Sequence, residues 1–190
     1  MASTIASVAL VCALCSPSEQ TVLNVIQEDG VTDKNAAAVI LANIKQESNF
    51  NPLACEGFYP ALANSYEHCY NNTRGGFGLL QWTSEGRIKG LGTFCASYNC
   101  DPNTVAGQMR YLVNEYDYTL VRPVFNTPGL PLQEYKDASF AWIRWSITGH
   151  RWTYANEYIN KINEVHSVVE EAQEKKWIHR QAMRGGLQLG

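Results

Sequence analysis

A glutamate at the end of an apolar helix stripe is the residue whose position most directly suggests chemistry. Ala37, Ile40, Ile44 and Glu47 follow in steps of three, four and three residues, which places them on one face of a predicted helix. Burial on that face and the negative end of the helix dipole both disfavour the ionised carboxylate. Both effects raise the pKa of Glu47 toward the range that a general acid needs near neutral pH. Alternatively, the stripe runs out and Glu47 simply reaches water.

Two segments of the chain, one of which contains Glu47, resemble a known family. Ala42–Pro52 reads ANIKQESNFNP, in which a Glu-Ser pair is followed by an aromatic residue and Asn-Pro. Gly75–Thr83 reads GGFGLLQWT. Together they resemble the phage tail lysozyme family, which is related to goose-type lysozymes and soluble lytic transglycosylases. The resemblance covers roughly residues 17–165 and includes a closing pattern of Arg, Ala and Tyr residues: Arg151, Tyr154, Ala155 and Tyr158.

The resemblance implies a fold and a set of site residues. The fold is α+β, mainly α: a lysozyme-like fold with a small β element flanking a cleft. Glu47 would protonate the glycosidic oxygen between N-acetylmuramic acid and N-acetylglucosamine as oxocarbenium character develops on the sugar. The implied substrate-binding residues are Ser48, Gly78, Gln81, Trp82 and Thr83. Alternatives remain for these residues: Ser48 orients Glu47 or bonds the local backbone, and Trp82 stacks on a sugar or packs in the core. Likewise Gln81 binds sugar or is merely exposed, and Gly78 approaches ligand or serves a turn.

The second catalytic group is less well defined. Glu56 lies nine residues after Glu47 and is the first candidate, with Glu67 and Glu85 as others. An inverting hydrolase needs a carboxylate base, and a retaining one needs a nucleophile. A lytic transglycosylase needs neither, because groups of the substrate itself complete the reaction and give an anhydro-sugar. The alternative for Glu56 is an exposed loop glutamate.

Other kinds of function are disfavoured. With 15 basic and 18 acidic residues, the net charge of −3 argues against nucleic-acid binding and against attachment to an anionic membrane. The spacing of Cys55, His68 and Cys69 fits no standard zinc site, so we expect no metal and no cofactor. A cysteine peptidase lacks a supporting motif around its cysteines. Trp142 and Trp145 share a predicted helix face and are expected to pack in the core.

Six cysteines allow fifteen full pairings. Cys55–Cys69 and Cys95–Cys100 are the sterically reasonable local pairs, and Cys12 and Cys15 form a CxxC pair. All six are alternatively buried free thiols.

Hydrophobic spacing and chain breakers predict the helices. The helix that carries Glu47 begins after Thr32 or Asp33 and ends near Asn49, before Asn51-Pro52. A hairpin or short strand is predicted around Phe77–Trp82. The other predicted helices span 18–30 with Ser18 as cap, 86–98, 104–118, 132–145 and 154–181.

Three segments are predicted from these patterns. Residues 1–16 form an apolar segment whose run Ile5–Cys15 is too short to span a bilayer, and we expect it to be retained and buried. Residues 17–165 form the lysozyme-like domain, and 166–190 end the last helix and form a tail. The resemblance implies a virion-associated enzyme that acts on peptidoglycan and contacts other tail or baseplate proteins. A structural or wall-binding tail component and a secreted enzyme are the alternatives.

Overall fold

The computed structural model describes residues 7–56, 65–72 and 75–167. Within these ranges the chain forms helices and one two-stranded sheet. In chain order the elements are β1 Ser7–Val11, α1 Pro17–Glu28, α2 Lys34–Ser48, α3 Tyr66–Asn72, α4 Glu85–Tyr98, α5 Val105–Leu112, α6 Tyr116–Phe125, α7 Leu132–Ile143, α8 Arg151–Lys161 and β2 Asn163–Ser167. The prediction of an α+β, mainly helical fold is confirmed.

Helix α2 forms the centre of the molecule. The Asp33 side chain caps its start, and Asn49 ends it in a left-handed conformation ahead of Pro52, as the sequence predicts. Nine consecutive residues, 36–44, are buried. Such burial all round requires neighbours on every side, and α8, α7 and α1 provide them.

The other helix boundaries depart from the predictions in several places. Ser16, not Ser18, caps α1, through a capping box with Glu19. The helix predicted over 104–118 is two helices, α5 and α6, with a break at residues 113–115. Helix α3 was not predicted.

The predicted last helix is the largest error. Helix α8 ends at Lys161, and residues 163–167 form β2 instead. Strand β2 pairs antiparallel with β1, with Ser7 opposite Ser167 and Val11 opposite Asn163. The rest of the predicted helix, 168–181, lies outside the described residues.

The described part of the N-terminal segment is only partly buried. Leu10 is 2% exposed and Cys12 3%, whereas Leu14 is 80% exposed. The Gln27 side chain of α1 bonds both the N–H and the carbonyl of Leu10, at 2.6 and 3.0 Å, which fixes β1 against the helices.

The β element predicted around Phe77–Trp82 is reduced to two isolated bridges, Cys55 with Phe77 and Phe77 with Trp82. The two-stranded sheet therefore joins β1 to β2 and is not the hairpin that the sequence predicts.

Disulfides pair all six cysteines. The pairs are Cys12–Cys15, Cys55–Cys69 and Cys95–Cys100, with Cα–Cα distances of 5.4, 5.9 and 4.4 Å. The two predicted local pairs are confirmed, and the free-thiol alternative is wrong. None of the described helices is long and apolar enough to cross a membrane.

Candidate active site

An open cleft of about 780 Å³ lies at the C-terminal end of α2. Its lining residues fall into three groups: Glu47 and Arg151, called the wall below; Ala54, Cys55, Glu56, Leu80, Gln81 and Thr83, called the floor; and residues at the starts of α4 and α6 and around the end of α7. Its charged lining residues are Glu47, Glu56, Arg87, Asp117, Arg144 and Arg151. The cleft thus brings together residues from five helices and three loops.

Glu47 lies in the last turn of α2, and its side chain is 17% exposed. Nη2 of Arg151 donates a hydrogen bond to its Oε1. Burial raises the pKa of Glu47, and this effect outweighs the opposing charges of Arg151 and Arg87; the Glu56 carboxylate adds to the rise. The sequence predicts the same direction for the same main reason.

Arg151 begins α8 and is 3% exposed. Its Nε donates to Asn43 Oδ1 at 2.9 Å, and its Nη1 donates to the carbonyls of Ile147 and Thr148 at 2.8 and 2.9 Å. The guanidinium lies 4.5 Å from the centre of the Trp145 ring. Burial lowers the pKa of Arg151, and the Glu47 carboxylate opposes that change. The two side chains therefore form a largely desolvated ion pair at the cleft wall.

Glu56 lies on the cleft floor, where hydrogen bonds with Gly76 hold both its backbone and its side chain. Its N–H donates to the Gly76 carbonyl at 2.8 Å, and its Oε2 accepts from the Gly76 N–H at 2.9 Å. The Cys55–Cys69 disulfide fastens the preceding residue to α3. Both predicted catalytic glutamates therefore line one cleft. The other two candidates, Glu67 and Glu85, do not line it.

Two of the predicted substrate-binding residues line the cleft. Gln81 has a left-handed backbone conformation, with φ at 48°, and its Nε2 donates to the carbonyls of Ala54 and Gly78. Thr83 is exposed, and its Oγ1 donates to the Gln81 carbonyl at 2.8 Å.

The other three predicted substrate-binding residues have structural positions. Ser48 Oγ donates to the carbonyls of Ile44 and Leu79, so it fastens α2 to the cleft floor and does not orient Glu47. Gly78 has φ at 75°, and a Cβ there would lie 2.5 Å from the Gln108 side chain, which indicates a turn. Trp82 is fully buried. It lies in the core, so the expectation that it stacks on a sugar is wrong.

Glu115 explains the burial of Trp82 and was missed in the sequence. This carboxylate is 4% exposed. It accepts from Nε1 of Trp82 at 3.1 Å and of Trp142 at 2.7 Å, and from Nε and Nη2 of Arg87 at 3.0 and 2.7 Å. These donors come from three separate segments, so no local pattern marks Glu115 as a buried acceptor.

Trp145 is a second residue that sequence reasoning misplaced. Trp142 is buried as predicted, but Trp145 lies beyond the end of α7 and lines the cleft. Its ring makes edge-to-face contacts with the rings of Phe140 and Trp152, with 5.2 and 5.7 Å between the ring centres. The end of the helix at Arg144, in a left-handed conformation, separates the two tryptophans.

The described ranges contain no group of three or more His, Cys, Asp or Glu residues placed to hold a metal ion. Cys55 and Cys69, weighed above as ligands, are joined to each other.

A mainly helical fold with a largely buried glutamate of raised pKa facing a polar cleft is typical of lysozyme-like lytic domains. A model of the phage tail lysozyme family matches residues 18–162. The chain belongs to the phage tail lysozyme family, and the resemblance noted in the sequence is confirmed. Membership implies a peptidoglycan-lytic function and an association with phage tails. No curated protein and no solved structure matches the chain.

Proposed function

We propose that the protein is a virion-associated peptidoglycan hydrolase that breaches the host cell wall during infection. Its reaction is cleavage of the β-1,4 bond between N-acetylmuramic acid and N-acetylglucosamine. The observation that carries this proposal is Glu47: a largely buried carboxyl group whose pKa is raised, at the wall of an open cleft. A raised pKa moves this carboxyl group toward the range that general acid catalysis requires.

In the proposed mechanism, protonated Glu47 donates its proton to the glycosidic oxygen. The bond between that oxygen and the muramic acid C1 breaks, its electron pair stays on the oxygen, and positive charge develops on the sugar. Glu56 is the candidate second carboxylate, acting either as the base that activates water or as the nucleophile. Gln81 and Thr83 line the same cleft and are the proposed sugar contacts.

A lytic transglycosylase reaction is the second candidate, and one observation favours it. The two other carboxylates of the cleft both have partners: Glu56 accepts from the Gly76 N–H, and Asp117 lies 3.7 Å from Arg87 and 3.8 Å from Arg144. A single carboxyl group then suffices: Glu47 protonates the leaving oxygen, and its carboxylate takes the proton of the muramic acid 6-hydroxyl as that oxygen attacks C1 of the same sugar. The product is an anhydro-sugar one water lighter than the hydrolysis product.

The test is mass spectrometry of soluble products released from purified peptidoglycan. Wild type is compared with Glu47→Gln, with Glu56→Gln and with the control Glu85→Gln, whose exposed glutamate lies outside the cleft. We expect Glu47→Gln to lower product release by at least about 100-fold and Glu85→Gln to leave it unchanged. Reducing ends indicate hydrolysis, and anhydro ends with an active Glu56→Gln variant indicate transglycosylation.

Two outcomes would overturn the proposal. Equal product release by wild type and Glu47→Gln would show that Glu47 is not the general acid. Binding to the wall without release of products by any form supports a structural or wall-binding tail component. The virion association is tested separately, by asking whether the protein co-purifies with phage particles.

A further inference from the structure

The Arg151 side chain makes more hydrogen bonds than an ion pair with Glu47 alone requires. An arginine that is 3% exposed costs stability unless its donors are paired. Three of its hydrogen bonds go to neutral acceptors, Asn43 Oδ1 and the carbonyls of Ile147 and Thr148. Because the guanidinium is a rigid planar fork, these contacts determine where Nη2 points. It points at Glu47 Oε1.

The Asn43 side chain, which accepts the hydrogen bond from Nε of Arg151, is itself fixed in place. Asn43 is fully buried on α2, one helical turn before Glu47. Its Nδ2 donates to the Val39 carbonyl at 2.8 Å, which leaves Oδ1 for Nε of Arg151. Helix α2 therefore carries both Glu47 and a second side chain that aims its partner. Neither Asn43 nor the two carbonyls titrates, so this support does not change with pH.

A purely structural tie between α2 and α8 would not need this arrangement. Lys45 and Glu157 already join the same two helices at 2.8 Å, with side chains 21% and 43% exposed. A buried ion pair is weak support for stability, because desolvation offsets most of the attraction. Yet Arg151 is buried, the Glu47 side chain is only 17% exposed, and both residues line the cleft.

We propose that Arg151 is a positioning residue for the reaction: it directs the Glu47 carboxyl group into the cleft and stabilises the carboxylate that remains after proton transfer. This inference rests on the proposed function. When Glu47 gives its proton to the leaving oxygen, one negative charge appears on its carboxyl group. Nη2 of Arg151 then meets that charge without rearrangement, which is electrostatic preorganisation.

The other charged groups around Glu47 cannot replace Arg151. Arg87 of α4 acts on Glu47 only through charge, and its Nε and Nη2 donate to the buried Glu115. Glu56 of the floor is repulsive. Asp117 of α6 and Arg144 beyond α7 line the far side of the cleft, 3.8 Å from each other.

The experiment compares Arg151→Lys and Arg151→Met with the control Lys45→Met, which breaks the outer ion pair between the same helices. The pH profile of kcat/KM is measured on peptidoglycan. The pKa of Glu47 is measured directly by NMR of protein with 13C-labelled glutamate carboxyl groups, the signal being assigned with Glu47→Gln. Thermal unfolding reports stability in each variant.

Arg151→Met is expected to lower kcat roughly 100-fold, to raise the pKa of Glu47 and to move the alkaline limb of the profile to higher pH. Arg151→Lys keeps the positive charge. We expect it to leave the pKa of Glu47 close to the wild-type value but to lower kcat nearly as much as Arg151→Met does. Lys45→Met is expected to change neither the pKa of Glu47 nor kcat. If Arg151→Met does not fold, Asn43→Ala removes the acceptor of Arg151 Nε, leaves the other hydrogen bonds of Arg151 in place, and is expected to lower kcat about tenfold.

The proposal fails if the Arg151 and Asn43 variants move the pKa of Glu47 and kcat no more than Lys45→Met does. The NMR titration separates this failure from failure of the proposed function. If Glu47→Gln remains lytic, the assigned acid is wrong, whereas the effect of Arg151 on the Glu47 carboxyl group is still measured.

Discussion

At the scale of single residues, the site depends on opposed influences on one carboxyl group. Arg151 and Arg87 favour the ionised form of Glu47, but burial acts against it more strongly. An exposed glutamate beside two arginines would stay ionised and donate no proton near neutral pH. The depth of Glu47 at the end of α2 is therefore as important as its identity.

The raised pKa of Glu47 has a consequence for stability. A group whose pKa is higher in the folded state contributes stability below its unfolded pKa and loses it as the pH rises through the folded pKa. We therefore expect the free energy of unfolding of wild type, relative to Glu47→Gln, to fall as the pH rises from about 4 through the raised pKa of Glu47. Urea unfolding at a series of pH values measures this difference, with Glu85→Gln, which changes an exposed glutamate outside the cleft, as the control. A difference that grows with pH would contradict the assignment.

Glu47 could be predicted because its position depends on local spacing, namely the apolar steps that precede it and Pro52 that follows. The roles of Ser48 and Trp82 could not. The Ser48 hydroxyl finds its acceptor at Leu79, and the Trp82 indole finds its acceptor at Glu115. Such partners are far apart in the sequence, and only the assembled core decides between a ligand contact and a buried hydrogen bond.

At the scale of elements, the tight turn beneath the cleft places the floor. Gly78 and Gln81 both have positive φ, at 75° and 48°. The Gly78 N–H donates to the Ala54 carbonyl at 2.7 Å, which joins the turn to the segment that carries Glu56. A side chain at Gly78 would disturb both the turn and the Gln108 side chain beneath it.

Three glycine substitutions test this turn. Gly78→Ala combines positive φ with a Cβ contact at 2.5 Å, Gly129→Ala has φ at 79° in open space, and Gly86→Ala has neither problem. We expect losses in the free energy of unfolding of about 3 kcal/mol for the first and about 1 kcal/mol for the second. Gly86→Ala should cause no loss. Only Gly78→Ala should also lower lytic activity, and equal effects of the first two would refute the packing role.

The helix errors have a common physical cause. Residues 159–172 continue a helical spacing of apolar residues, but 163–167 instead find β1 as a partner from the other end of the chain. Likewise, the helix predicted over 104–118 breaks where Glu115 turns into the core. The local spacing of apolar residues gives no information about β1 or about the donors in the core that bind Glu115. Helix α2 was predicted correctly because its cap, stripe and terminating proline are all local.

At the scale of the whole molecule, the Glu115 carboxylate joins parts that are separate in the chain. It connects the cleft floor through Trp82, α4 through Arg87 and α7 through Trp142. Arg87 and Trp142 line the cleft, and Trp82 lies between the lining residues Gln81 and Thr83. One buried carboxylate with four donors therefore holds together three segments that form or support the cleft.

Glu115→Gln tests this connection. The amide keeps the shape but loses the charge, and its NH₂ group faces donors. We expect a loss of roughly 3 kcal/mol in the free energy of unfolding, measured by urea denaturation. Glu134→Gln changes an exposed glutamate at the start of α7 and should stay within about 0.5 kcal/mol of wild type. Similar values for the two variants would show that Glu115 is not the connecting group.

The pairing of β1 with β2 also determines how the domain responds to tension. Because Ser7 lies opposite Ser167 in an antiparallel pair, the first and last residues of the described part of the chain lie side by side. We expect a pull on these two residues to open the ladder one residue pair at a time, and not to shear all the pairs at once. The two strands would then separate before the load reaches α2, which leaves the cleft intact.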